Sequence, residues 1–116
     1  MNTEKIFTEK RPWGEFRQYT ENESVTVKTI FVKHGEGLSL QYHHKRSEFW
    51  RVIFGNPEIV IGQKKIYAKK GDEFVIPTEK VHRLSAPHDD VEILEIASGR
   101  FDEGDIVRLE DRYGRS

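Results

Sequence analysis

The chain has 116 residues, enough for one domain with a buried core but not for a second catalytic domain. Charged residues make up 34% and hydrophobic residues 35% of the sequence, as is typical of a folded, soluble protein. Because 19 basic residues nearly cancel 20 acidic ones, no overall field attracts nucleic acid or an anionic membrane.

Short segments of alternating apolar and polar residues, separated by turn residues, recur along the chain and predict an all-β protein. The most apolar of these segments, 91–97, is predicted to be a central strand. The spacing favours a jelly roll, in which two packed sheets can enclose a ligand. The C-terminal stretch Asp102 to Ser116 is expected to dock onto this barrel. The predicted strands cover residues 25–32, 38–43, 48–54, 58–61, 65–68, 73–76, 81–84 and 91–97.

Four polar side chains have a spacing that suits a metal site. Gln41 and His43 are two residues apart, so on a strand they point to the same face. Glu48 opens the next strand, where antiparallel pairing can return its carboxylate to that face, and His82 begins a later strand. The chain has no cysteine, so any metal would need nitrogen and oxygen ligands. Spacing alone leaves open that these histidines are surface or packing residues.

Two longer patterns resemble the signature motifs of the cupin superfamily. In the first, Gly35, Gln41, His43, Glu48 and Gly55 occur in order, with Gln41 in place of the usual first histidine. The second pattern consists of Gly71, Pro77 and His82, with Glu79 in place of the usual glycine after proline. The resemblance implies a single-domain cupin jelly-roll barrel, also called a double-stranded β-helix. We assign it to residues 10–116, after an N-terminal extension of residues 1–9.

Several separated segments, in the same order, more closely resemble the type II phosphomannose isomerase family. In that family this domain often follows a mannose-1-phosphate guanylyltransferase domain. The family binds a catalytic metal, commonly zinc, through a glutamine, two histidines and a glutamate, which implies Zn²⁺ on Gln41, His43, Glu48 and His82. Some relatives have histidine where this chain has Lys45. The matching segments are 10–14, 38–50, 76–77, 81–84 and 105–115.

The resemblance implies an aldose-ketose isomerase that interconverts mannose 6-phosphate and fructose 6-phosphate. The alternative is a non-catalytic cupin that binds a sugar or sugar phosphate, as a sensor or accessory subunit, because cupins host many functions. A metal-free nucleotide-sugar epimerase is disfavoured by the complete ligand set. The expected partners are a small-molecule sugar phosphate and a second copy in a homodimer, without nucleic acid or membrane. The N-terminus lacks a signal-peptide pattern, which predicts a cytoplasmic protein.

Glu95 and Lys45 are the predicted catalytic residues. Glu95 is a carboxylate within an apolar strand, where burial would raise its pKa and suit it as a base. Solvent exposure, or a structural ion pair with an arginine, is the competing interpretation of Glu95. Lys45 shares strand parity with Gln41 and His43 and is expected to face the phosphate. The remaining predicted substrate-binding residues are Arg46, Arg83, Arg11, Arg112 and Trp50.

Overall fold

The computed structural model describes residues 3–115, which contain β-strands and one short 3-10 helix. That helix, Thr3–Lys5, is far too short to cross a membrane, and the described residues include no longer one. The strands are β1 (Phe7–Arg11), β2 (Gly14–Gln18), β3 (Val25–Val32), β4 (Leu40–Tyr42), β5 (Arg46–Phe54), β6 (Glu58–Ile61), β7 (Lys64–Tyr67), β8 (Glu73–Ile76), β9 (His82–Ser85), β10 (Val91–Gly99) and β11 (Val107–Glu110).

Two antiparallel sheets pack face to face around the core. A four-stranded sheet has the order β3-β10-β5-β8, and a five-stranded sheet has the order β11-β4-β9-β6-β7. Inward-facing residues of both sheets meet in one cluster, because alternate side chains of a strand point to the same face. The first sheet supplies Trp50, Val52 and Ile93 to this core, and the second supplies Ile59 and Leu84. The prediction of an all-β, two-sheet barrel is therefore confirmed.

The strands that the sequence predicted are all present, with ends that differ by at most two residues. The segments 25–32, 58–61 and 73–76 coincide with β3, β6 and β8. β10 lies between β3 and β5, which confirms that the apolar segment 91–97 forms a central strand. The C-terminal stretch docks onto the barrel as expected, since β11 pairs with β4.

The pattern did not predict the hairpin β1-β2, which forms a separate two-stranded sheet. Every residue of β1 is exposed, and the turn of the hairpin presents Trp13, which is 74% exposed. The boundary expected between residues 1–9 and 10–116 falls inside β1. Residues 1, 2 and 116, which belong to those two ranges, lie outside the described residues.

Candidate metal centre

A cavity of ≈ 210 Å³ opens between the two sheets, and the four predicted metal ligands line it. Gln41 on β4 pairs directly with His82 on β9 in the five-stranded sheet. His43 follows β4 by one residue, and Glu48 projects from β5 in the four-stranded sheet. All four side chains are buried. The fold therefore brings ligands from both sheets to one point.

Three of these residues, His43, Glu48 and His82, offer ligand atoms that all lie within 4.8 Å of one another. Nε2 of His82 is 3.3 Å from Oε1 of Glu48, and Nε2 of His43 is 3.7 Å from Oε2. Two imidazole nitrogens and a carboxylate oxygen suit Zn²⁺ or a similar divalent ion. The amide of Gln41 lines the same cavity and is available as a fourth ligand.

Backbone carbonyls fix the tautomer of both histidines. Nδ1 of His43 lies 2.7 Å from the carbonyl oxygen of Asp105, and Nδ1 of His82 lies 2.8 Å from that of Lys80. Because a carbonyl oxygen only accepts, Nδ1 carries the proton in the neutral form of each ring, and Nε2 then keeps a lone pair. This arrangement is typical of metal-binding histidines, whose second nitrogen is held by the protein. Burial, the main influence, lowers the pKa of His43 and keeps its ring neutral.

The contact between His82 and Glu48 tests whether a metal fits. In the neutral ring that a metal ligand requires, Nε2 of His82 has no proton to give, and Oε1 of Glu48 is buried without a hydrogen bond among residues 3–115. Two electron-rich atoms 3.3 Å apart are unfavourable unless a cation lies between or beside them. The residues present therefore fit a divalent metal.

Glu95 lies on the inner face of β10, is 3% exposed and lines the cavity. The indole nitrogen of Trp50 donates to Oε1 at 3.1 Å, and Nζ of Lys28 lies 3.5 Å from Oε2. Burial, followed by the charge of neighbouring Glu48, raises the pKa of Glu95. From the sequence, Glu95 could also have faced solvent or paired with an arginine. The structure shows neither arrangement, because the side chain is buried and the cation beside it is Lys28.

Arg46 and Trp50 line the cavity as predicted. The Arg46 guanidinium lies 3.3 Å from Glu48 through Nε and 3.3 Å from Nε2 of His43 through Nη2. The Trp50 ring is fully buried and packs edge-on against His82, with ring centroids 5.6 Å apart. Trp50 therefore forms part of the cavity wall.

The structure does not bring the other four predicted cations to the cavity. Lys45 is exposed because the chain bends at residues 44–45, and strand parity does not continue through that bend. Arg83 follows the inward-facing His82 on β9, so it points away from the cavity and pairs with Glu110 at 3.2 Å. Arg11 pairs with Glu9 on β1, and Arg112 donates to the carbonyl of Gly35.

Three other cations line the cavity, and sequence reasoning did not single them out. Lys28 shares strand parity with the core-facing Ile30 and Val32, a signal that could have identified it. Arg108 lies on β11, and Arg115 lies beyond the turn at residues 112–113 that follows this strand. No strand was predicted there, so neither orientation could be derived.

Comparison with known proteins identifies the family to which the chain belongs. A family model described as mannose-6-phosphate isomerase C-terminal matches residues 2–111. Mannose-1-phosphate guanylyltransferase ManC of Salmonella typhimurium is 39% identical over 107 residues, which cover 90% of this chain and 22% of ManC. The alginate biosynthesis protein AlgA of Pseudomonas aeruginosa is 41% identical over 108 residues, covering 91% of this chain and 22% of AlgA. The chain thus spans about a fifth of the length of these relatives.

Solved structures show the same fold. The capsular polysaccharide assembling protein CapF of Staphylococcus aureus superposes with a TM-score of 0.68 at 19% identity, covering 90% of this chain and 34% of CapF. A cupin protein of Bacteroides fragilis superposes with a TM-score of 0.58 at 18% identity, covering 71% of this chain and 81% of that protein. The cupin jelly roll implied by the spaced motifs is therefore confirmed.

Proposed function

Because the chain belongs to the family of mannose-6-phosphate isomerase C-terminal domains, we propose that it is a metal-dependent isomerase of mannose 6-phosphate and fructose 6-phosphate. The observation that carries this proposal is the buried carboxylate of Glu95, which lies in one cavity with the His43, Glu48 and His82 cluster. A relative whose name refers to mannose 1-phosphate agrees with a mannose phosphate as substrate.

Isomerisation moves a carbonyl between C1 and C2 of the sugar. One group takes a proton from one carbon and returns it to the next, and negative charge builds up on the enediolate oxygens. A divalent ion held by Gln41, His43, Glu48 and His82, with zinc favoured by this donor set, would stabilise that charge as a Lewis acid. The chain's own residues must supply the proton transfer and the binding of the phosphate.

Glu95 is the proposed base. The hydrogen bond from Trp50 holds Oε1 and so fixes the plane of the carboxylate. Oε2 is buried and, among residues 3–115, accepts no hydrogen bond, so it remains available to take a proton from substrate. Lys28, 3.5 Å away, stabilises the ionised carboxylate that this step requires.

Phosphate recognition is assigned to Arg108 and Arg115. Both line the cavity, and a guanidinium can bind a phosphate through two parallel hydrogen bonds. Two hydrogen bonds of 2.9 Å to Asp111 hold the Arg115 guanidinium in place. The other two cavity cations, Lys28 and Arg46, lie beside Glu95 and Glu48, the carboxylates proposed for the base and for the metal.

A second candidate function is a non-catalytic cupin that binds a sugar phosphate for a larger protein. The observation that favours it is the small part of each relative that this chain matches, 22% of ManC and 22% of AlgA. Such a protein would bind mannose 6-phosphate without converting it.

Turnover of mannose 6-phosphate by the purified protein tests the proposal. We expect fructose 6-phosphate to form, about one equivalent of divalent metal per chain, and loss of activity after chelation. His82→Ala is expected to reduce turnover at least ~100-fold because it removes a ligand, with the fold retained by circular dichroism. Binding of mannose 6-phosphate without turnover would favour the accessory role, and full activity of metal-free protein would contradict the metal's role.

A further inference from the structure

Arg46, the first residue of β5, lies among the proposed metal ligands. Its side chain is 4% exposed. Nε is 3.3 Å from Oε2 of Glu48, and Nη2 is 3.3 Å from Nε2 of His43. A guanidinium only donates hydrogen bonds, so His43 and Glu48 present to Arg46 lone pairs that a metal would also use.

The guanidinium is held from its other side as well. Nη1 donates to the carbonyl oxygen of Asp102 at 3.0 Å, and the guanidinium carbon lies 4.5 Å from the centre of the Phe101 ring. The same segment supplies the Asp105 carbonyl that fixes Nδ1 of His43. Arg46 is therefore a fixed cation of the site and not a mobile surface charge.

His43 can contact either the Arg46 guanidinium or a metal ion through Nε2, but not both. Because its Nδ1 proton is held by Asp105, its Nε2 has a single lone pair, which cannot accept from Arg46 and bind a metal at once. A divalent ion would in addition lie close to a fixed positive charge. We infer that Arg46 competes with the metal ion for His43 and Glu48 and thereby sets the metal affinity of the site. This inference rests on the proposed metal centre but not on isomerase turnover.

The opposite role, in which Arg46 orients Glu48 and strengthens metal binding, is weaker on these contacts. Glu48 lies within β5, where it pairs with Ala97 on β10 and Ile76 on β8, so its position in the sheet does not depend on Arg46. His43 keeps its bond to the Asp105 carbonyl, and His82 keeps its bond to the Lys80 carbonyl. Removal of the guanidinium therefore takes away a competitor and leaves the ligands in position.

Zinc affinity, measured by competition with a chromophoric chelator, tests the inference. Arg46→Gln is expected to bind zinc at least ~10-fold more tightly than the wild-type chain, because both the competing donor and its charge are removed. Lys28→Gln is the matched control. Lys28 is a cation of the same cavity but contacts Glu95 and Glu103, at 3.5 and 3.2 Å, and not the three clustered ligands. Its removal is expected to change zinc affinity less than about threefold.

Two further measurements keep the inference testable if Arg46→Gln folds poorly. Arg46→Met retains the packing against Phe101 and should also bind zinc more tightly. In the wild-type chain, zinc should speed the exchange of the Arg46 Nη protons with water, measured by nitrogen-15 NMR, because the contact with His43 is lost.

Unchanged or weaker zinc binding by both variants, with unchanged proton exchange in the wild-type chain, would overturn the inference. Absence of zinc binding by the wild-type chain and by Arg46→Gln alike would overturn it together with the metal centre. Tighter zinc binding by Arg46→Gln in a protein without isomerase turnover would support the inference and count against the proposed function alone.

Discussion

Glu48 and Glu95 are buried carboxylates on neighbouring strands whose surroundings favour different protonation states. Glu48 lies against the Arg46 guanidinium, which favours the ionised form. Burial and the nearby charge of Glu48 raise the pKa of Glu95 to about 7, so Glu95 loses its proton at a higher pH than Glu48 does. Pairs of carboxylates separated in this way can take different roles, in keeping with the proposed roles of Glu48 as ligand and Glu95 as base.

Glu95→Gln tests the role of the base directly. Glutamine has nearly the same shape and still accepts a hydrogen bond from Trp50, but it cannot take a proton from the sugar. We expect isomerase turnover to fall at least ~100-fold, while the bound metal, measured by atomic absorption, stays unchanged. Glu92→Gln on the outer face of β10 is the control and should retain turnover. Retention of more than about a tenth of the wild-type rate by Glu95→Gln would contradict the assignment.

How far single residues of the site were predictable depends on strand parity. Gln41, His43, Glu48 and His82 could be placed together because each lies in or beside a strand whose alternation is regular. Lys45 could not, since the bend at residues 44–45 breaks the alternation that connected it to His43. Lys28 was a missed signal of the same kind, a charge with the parity of core residues.

At the scale of elements, a polar cluster links the N-terminal hairpin to the barrel. Arg17 on β2 donates two hydrogen bonds to Glu73 on β8, at 3.0 and 2.7 Å. Arg51 on β5 donates to the same carboxylate at 2.7 Å, and the Tyr19 ring packs on Phe49 with centroids 5.3 Å apart. Burial raises the pKa of Glu73, but the hydrogen bonds from Arg17 and Arg51 outweigh this and hold the pKa below its ordinary value.

The lowered pKa predicts a pH-dependent contribution to stability. Ionised Glu73 stabilises the folded chain fully above its unfolded pKa, near 4.5, and this stabilisation is lost as the pH falls through the lower folded pKa. Glu73→Gln is therefore expected to lower the free energy of unfolding by about 1 kcal/mol at pH 7, with the difference shrinking as the pH falls below the unfolded pKa. Urea unfolding at several pH values measures this. The control is Glu58→Gln, which removes a carboxylate that lies 3.7 Å from Nζ of Lys65. A deficit of Glu73→Gln that stays the same from pH 7 down to the lowest pH at which the chain is folded would contradict the linkage.

Strands with one clearly buried face were predictable, and strands with little burial were not. β10 alternates buried and half-buried residues over most of its length, and its apolar pattern predicted both its position and its central place. β1 is exposed throughout, so no hydrophobic period marks it. β11 consists of half-buried and exposed residues, and Leu109 is 52% exposed although apolar. Pairing with β4 defines this strand, and a sequence pattern does not show such pairing.

At the scale of the whole molecule, the candidate metal centre draws its residues from both sheets. Glu48 belongs to β5 of the four-stranded sheet, whereas Gln41 and His82 belong to β4 and β9 of the five-stranded sheet. His43 is further tied to the C-terminal segment through the carbonyl of Asp105. A metal at this point would therefore hold together parts of the chain that are far apart in sequence and that separate on unfolding.

Metal binding should consequently stabilise the entire barrel. A ligand that binds only the folded chain adds about 2.7 kcal/mol at 100 times its Kd, which for a domain of this size raises Tm by roughly 10 °C. Thermal unfolding with and without zinc measures the shift. His82→Ala is the control, since it removes one of the three clustered ligands and so weakens zinc binding, and its Tm should respond little to zinc. An equal zinc-dependent rise in Tm in His82→Ala would show that zinc stabilises the chain elsewhere, because the proposed site would have lost one of its clustered ligands.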